Sequence, residues 1–86
     1  MDKTNTFKRS FKKLKLNNKE EMAYIDVIYN LLSGVKLTSN YKDHQLQGTL
    51  EEFRECHIQP DLLLIYKFEN DVLKLVNIGT HGSLFK

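Results

Sequence analysis

Apolar residues along the chain follow two periods, and the change between them falls near the middle. Phe7, Phe11 and Leu14 recur at i, i+4 and i+7, which predicts a helix over about Lys8–Leu16. Lys8, Lys12 and Lys15 repeat that spacing one residue later, so basic groups flank the apolar stripe. Asn17-Asn18 breaks the pattern with good capping and turn residues. A second helix is predicted over Lys19–Ser33, with Ile25, Ile28 and Leu32 as its inner stripe, widened by Tyr24, Val27 and Leu31. Glu20 and Glu21 complement the dipole in its first turn, and Gly34 is placed to end it. The short opening Lys3–Phe7 reads as an edge strand.

Beyond Gly34 the period falls to two. Thr38–Gly48 is polar and turn-rich and reads as an ordered loop, and Leu50–Ile58 alternates as a strand. Gln59-Pro60 marks a turn, since proline interrupts pairing. Leu62–Phe68 is nearly all apolar, as in a strand buried on both faces. Glu69-Asn70-Asp71 is a turn, Val72–Ile78 a third strand and Gly79–Lys86 a short tail. These elements predict a single α+β domain over residues 1–86, with two N-terminal helices packed on one face of a twisted, mainly antiparallel sheet.

The composition narrows the function classes. With 86 residues there is no room for a nucleotide-binding domain beside a substrate domain. One Cys gives no disulfide framework, which fits a reducing compartment. No apolar run approaches the roughly 18–20 residues of a membrane span, and no signal-peptide pattern follows the basic start. A cytoplasmic protein without membrane attachment is the expectation. The net charge of +2 hides an asymmetry. Through Leu16 six basic residues stand against Asp2 alone, whereas the remainder has seven basic and ten acidic residues. A segregated basic segment suits a polyanion, an acidic partner or a membrane surface, or is a solvated helix face.

The chemistry-bearing residues gather in the second half. His44 lies in the polar loop, His57 near the end of a strand, His81 beyond the last strand and Asp61 just after Pro60. On a strand, Phe53, Glu55 and His57 share one face, whereas Arg54, Cys56 and Ile58 share the other. Cys56 and His57 therefore do not form a nucleophile pair, and Cys56 reads as a small buried hydrophobe. The histidines lack the spacings of a helical or paired-Cys metal site, so neither metal nor cofactor is expected. Histidines and carboxylates without a metal suit cleavage of RNA. The 2′-OH is an internal nucleophile, and the protein needs a base, an acid and cations for the phosphate. An aromatic such as Phe85 can stack on an unpaired base.

Three ordered segments carry a resemblance. Tyr41-Lys42-Asp43-His44-Gln45-Leu46-Gln47-Gly48, then Arg54–Lys67, then Ile78–Phe85 resemble the YafQ branch of the RelE/ParE toxins, the toxin halves of bacterial type II toxin–antitoxin pairs. The resemblance covers the second half of the chain closely. It implies a RelE-like fold and a metal-independent, ribosome-dependent endoribonuclease that cuts mRNA in the decoding site of the small subunit. It also implies inhibition by a ribbon-helix-helix antitoxin, with operator DNA reached only through that partner. Carried over by position, the functional residues are His44, His57 and His81, the carboxylates Glu55 and Asp61, and the aromatic Phe85. His81 and His44 are the expected proton-transfer pair. Asp61 is expected to orient a histidine or share in proton transfer, and His57 to be supporting. Lys8, Lys12, Lys13, Lys15 and Arg54 are the expected RNA- and ribosome-binding cations. The chain departs from the family pattern at Asn77, where an Arg is implied, at Leu62 for Trp and at Glu55 for Asp. Two other readings stay open: a gyrase-directed, ParE-like binding module, and a degenerate toxin that only binds its antitoxin.

Overall fold

Thr4 decides where the chain first becomes helical. Its hydroxyl accepts the Phe7 N–H at 3.0 Å and donates to the Val76 carbonyl at 2.7 Å, so it caps a helix and ties it to the last strand at once. Residues 1–85 are described by a computed structural model; Lys86, the end of the predicted tail, lies outside them. The first helix, α1, is Asn5–Lys13, three residues earlier than its pattern predicts, and the strand before it, β1, is only Asp2–Lys3. The apolar stripe survives the shift. Phe7 and Phe11 stack within α1 at 5.5 Å, while Leu14 and Leu16 pack against the core from the extended link that follows. Lys15 therefore sits in that link and not on the helix.

The second helix, α2, is Asn18–Leu32. Asn17 and Glu20 close a reciprocal capping box, with Asn17 Oδ1 accepting the Glu20 N–H at 2.8 Å and Glu20 Oε1 accepting the Asn17 N–H at 3.0 Å. Gly34, at φ 72°, ends it, and the Val35 N–H reaches back to the Asn30 carbonyl. The inner stripe differs from the prediction. Val27, Ile28 and Leu31 are buried, whereas Ile25 and Leu32 are 56% and 54% exposed. Apolar side chains occupy so much of this helix's circumference that periodicity alone does not select the side that meets the sheet.

The sheet has five strands in the order β1-β5-β4-β3-β2. β2 is His44–Gln45, β3 Arg54–Gln59, β4 Leu62–Glu69 and β5 Val72–Gly79. Only the β1–β5 pair is parallel. Both N-terminal helices cover one face, α1 over β5 and α2 over β3, and Phe7, Val27, Cys56, Leu64 and Leu75 pack between them and the sheet. The predicted loop Thr38–Gly48 thus contributes a strand. Two residues are too few to leave a periodic signal. The predicted strand Leu50–Ile58 begins only at Arg54, after a 3₁₀ turn over Gly48–Leu50. Leu62–Tyr66 is buried on both faces, as expected of the central strand. Asn70 and Asp71, at φ 52° and 64°, form the two-residue hairpin turn between Glu69 and Val72.

Candidate active site

The face of the sheet away from the helices carries the histidines. Antiparallel pairing of β2 with β3 sets His44 directly opposite Glu55, and strand alternation puts His57 on the same face as Glu55. Both imidazoles meet one carboxylate oxygen: His44 Nε2 is 3.5 Å and His57 Nε2 3.4 Å from Glu55 Oε1. Glu55 is buried, at 5% exposure, beneath an exposed His44 and a half-buried His57. The other ring nitrogen of His44, Nδ1, lies 2.7 Å from the Lys42 carbonyl oxygen. A carbonyl only accepts, so Nδ1 carries a proton and Nε2 is the atom left to face Glu55.

A second group stands across the same face. The chain leaves β5 through Thr80, whose hydroxyl accepts the Ser83 N–H at 3.1 Å and starts a single helical turn, α3, over His81–Leu84. Asp61 Oδ1 accepts the His81 N–H at 3.2 Å, so Asp61 fixes the backbone of this turn and not the imidazole. The rings of His81 and Phe85 lie 5.2 Å apart. Gly79 is needed for this close packing, because a Cβ there would stand 2.5 Å from Ser83 Oγ.

Register relates the two groups. His57 pairs with Leu63 and Leu63 with Gly79, so His57 and Gly79 are two strand spacings apart, about 10 Å, with His81 two residues further on. His44, on β2, is three spacings from β5, about 14 Å, and displaced along the strands away from His81. The register therefore sets His57 nearer to His81 than the His44 of the expected pair.

The predicted cations lie elsewhere. Arg54 points to the helix side of β3, where its Nη2 is 3.0 Å from Asp43 Oδ2, and that hydrogen bond raises its pKa. It is a structural partner, because alternation separates it from Glu55 and His57. Lys8, Lys12 and Lys13 are exposed on α1, which packs on the opposite face of the sheet from the histidines. Asn77 Oδ1 accepts the Ile78 N–H at 2.9 Å, so its amide is turned onto the backbone at a β5 bulge.

The loop before His44 holds residues that motif reading passed over. Tyr41 donates to Asp26 Oδ2 of α2 at 2.6 Å, and this bond, with burial, pushes the phenol up to about 12. Asp43 accepts from both Arg54 and the hydroxyl of Tyr66, which is 1% exposed. Burial, then Asp43, holds the Tyr66 phenol well above its ordinary range. Between these anchors Lys42 takes the left-handed conformation, φ 49° and ψ 42°. Lysine rarely adopts it, so the sequence carries no signal of it. Cys56 is fully buried, as expected, and burial pushes its thiol up to about 12. Among the described residues, no three His, Cys, Asp or Glu side chains are arranged to hold a metal ion.

Comparison with known proteins gives concordant results. The family described as "Bacterial toxin of type II toxin-antitoxin system, YafQ" matches residues 1–86. The mRNA interferase toxin YafQ of Escherichia coli K12 is 36% identical over 75 residues, which span 85% of this chain and 82% of that protein. The fold superposes on the E. coli DinJ–YafQ complex with a TM-score of 0.87 at 29% identity, covering 99% of this chain and 96% of that one. It superposes on a copper-bound mutant toxin from Helicobacter pylori with a TM-score of 0.90 at 37% identity, covering 98% and 96%.

Proposed function

Because this chain belongs to the YafQ family of toxins from bacterial type II toxin–antitoxin systems, we propose that it cuts mRNA on the ribosome by moving protons on and off the RNA itself. It is the toxin component of such a pair and an endoribonuclease. The observation that carries this reading is the register that sets His57 about 10 Å from Gly79 across β4, two residues before His81.

A scissile phosphate between His57 and His81 has a histidine on each side. One takes the proton of the 2′-OH as its oxygen bonds to phosphorus, and the other gives a proton to the departing 5′-oxygen. A cyclic phosphate and a free 5′-OH result, and no protein nucleophile or metal is required. Glu55 braces His57 and His44 through one oxygen, Asp61 fixes the turn that carries His81, and Phe85 stacks on an unpaired base. His44 acts on this reading through Glu55. The ribosomal decoding site supplies the substrate in position, so the chain adds only the proton-transfer groups. The E. coli relative forms a complex with DinJ; here a cognate ribbon-helix-helix antitoxin restrains the toxin in the cytoplasm and links it to operator DNA. Among the described residues no helix is long and apolar enough to cross a membrane.

The test is to map mRNA 5′ ends after inducing the wild-type chain and His81→Ala, with circular dichroism as the control for folding. New ends within coding regions should appear with the wild type and fall by about 10²–10⁴-fold with the variant, the usual range for a lost acid or base. Intact mRNA with gyrase-dependent DNA breaks would instead indicate the ParE-like activity. Absence of both, in a folded chain, would indicate an antitoxin binder, the reading that Asn77 favours.

A further inference from the structure

A cleft of about 300 Å³ opens beside His57, between the turn Ser39–Tyr41 with Lys42 and the end of β3 at His57–Gln59 with Pro60. Its walls present Asn40, Lys42, His57 and Gln59, and no carboxylate lines it. No residue of β4, β5 or α3 reaches it, so it lies on the side of His57 away from His81. The one full cation on its wall is Lys42, which enters no ion pair among the described residues.

The backbone of Lys42 is held from both sides. Its neighbours are fastened on both sides, Tyr41 to Asp26 and Asp43 to Arg54 and Tyr66. Its own carbonyl meets His44 Nδ1. A left-handed backbone at a non-glycine residue is unfavourable and persists where its surroundings over-determine it, often at functional sites. The loop therefore fixes the point from which the exposed Lys42 side chain extends. Lys67 of β4 lies on the histidine face over Phe53, but Glu52 and Glu69 already pair it, whereas Asn77, Arg54 and the α1 lysines offer that face no free charge.

We propose that this cleft is a backbone subsite, and that Lys42 binds the phosphate of the nucleotide flanking the scissile bond on the His57 side. The inference rests on the ribonuclease reading above and deepens it. RNA would then cross the face from the His81 turn, past His57, into the cleft, with the flanking phosphate fixing the register of the cut.

Lys42→Asn removes the charge and keeps a residue that tolerates the left-handed conformation, and Lys42→Arg restores the charge. Binding of each full-length variant is measured to ribosomes programmed with an mRNA whose 2′-hydroxyls are methylated, across a potassium chloride series. One lost phosphate contact on a single strand should reduce the slope of log K against log salt by about 0.7, which is about a 5-fold loss at 0.1 M salt. Lys42→Arg should recover both. With cleavable mRNA, KM should rise in proportion while kcat stays within about twofold. An unchanged slope and KM for Lys42→Asn would overturn the subsite. So would a fall in kcat at unchanged slope, which would mean that residue 42 acts through the loop conformation that places His44. Since the binding arm uses blocked mRNA, a chain that binds with the expected slope change yet never cuts would refute the nuclease reading and not the subsite.

Discussion

Replacing Asp43 with Ala should cost more than any other single exposed-side change in the loop before His44. Asp43 accepts from the hydroxyl of Tyr66 and from Arg54 at 3.0 Å. Tyr66 is 1% exposed, so without Asp43 its hydroxyl is buried with no acceptor, which costs about 1–3 kcal/mol. The ion pair adds less, about 0–1 kcal/mol, because the Arg54 side chain is 40% exposed and solvent screens it. The sum is roughly 1–4 kcal/mol. At about 4–8 °C per kcal/mol for a chain of this size, Tm should fall by roughly 5–30 °C. Asp43→Asn keeps an acceptor for Tyr66 and should lose about 1 kcal/mol or less. The decisive comparison is the double variant Asp43→Ala with Tyr66→Phe. Removing the stranded hydroxyl should return about 1–2 kcal/mol relative to the sum of the two single changes. Urea midpoints at constant m measure this. mRNA cleavage, assayed at a temperature where every variant is folded, should be lost in Asp43→Ala and kept in Asp43→Asn, because the latch sits next to His44. A cost below about 0.5 kcal/mol for Asp43→Ala, or no recovery in the double variant, would refute the idea that a buried hydroxyl holds the loop.

Three further outcomes are expected. Asp61→Ala should lose about 1 kcal/mol, as for a lost helix cap, while mRNA cleavage drops more than tenfold because His81 shares the turn that Asp61 fixes; Asp61→Asn should retain most of both. Raising the pH from 8 to 10 should lower stability, with Cys56 contributing a slope that approaches about 1.4 kcal/mol per pH unit, because its unfolded thiol ionises near 9 while burial holds the folded one to about 12. Cys56→Ala, though less stable throughout, should lessen that slope in urea titrations and leave the part owed to Tyr41 and Tyr66, whose phenols the fold also raises. Replacing Lys8, Lys12 and Lys15 together should weaken ribosome binding and lower its salt slope without changing cleavage once bound, and an unchanged slope would return them to a solvated face.

How much of this was legible in the chain depends on how far each signal repeats. The hairpin Asn70-Asp71 and the central strand at Leu62–Tyr66 follow directly from composition, because a type I′ turn and two-sided burial each select residue types. The opposition of Cys56 and His57 follows from alternation alone. The start of α1 was misplaced because its cap, Thr4, depends on β5, seventy-two residues away. β2 was missed because its two residues have no period, yet it delivers His44 to Glu55. The inner side of α2 could not be chosen from a helix that is apolar over much of its circumference. The partners of Arg54 and Asp43 are long-range pairs, and no local pattern records them.

The division of labour along β3 bears on why so small a chain can keep one face for chemistry. Arg54, Cys56 and Ile58 serve the core side, while Phe53, Glu55 and His57 face away from the helices. A core change on the first set need not touch the second, except through the loop that Arg54 holds by way of Asp43. That exception couples the core to the proposed site through a short path: Tyr66 and Arg54 fix Asp43, which stands between Lys42 and His44. The latch that keeps His44 against Glu55 also holds the Lys42 backbone at the cleft beside His57, so the same long-range contacts stabilise the sheet edge and place both residues.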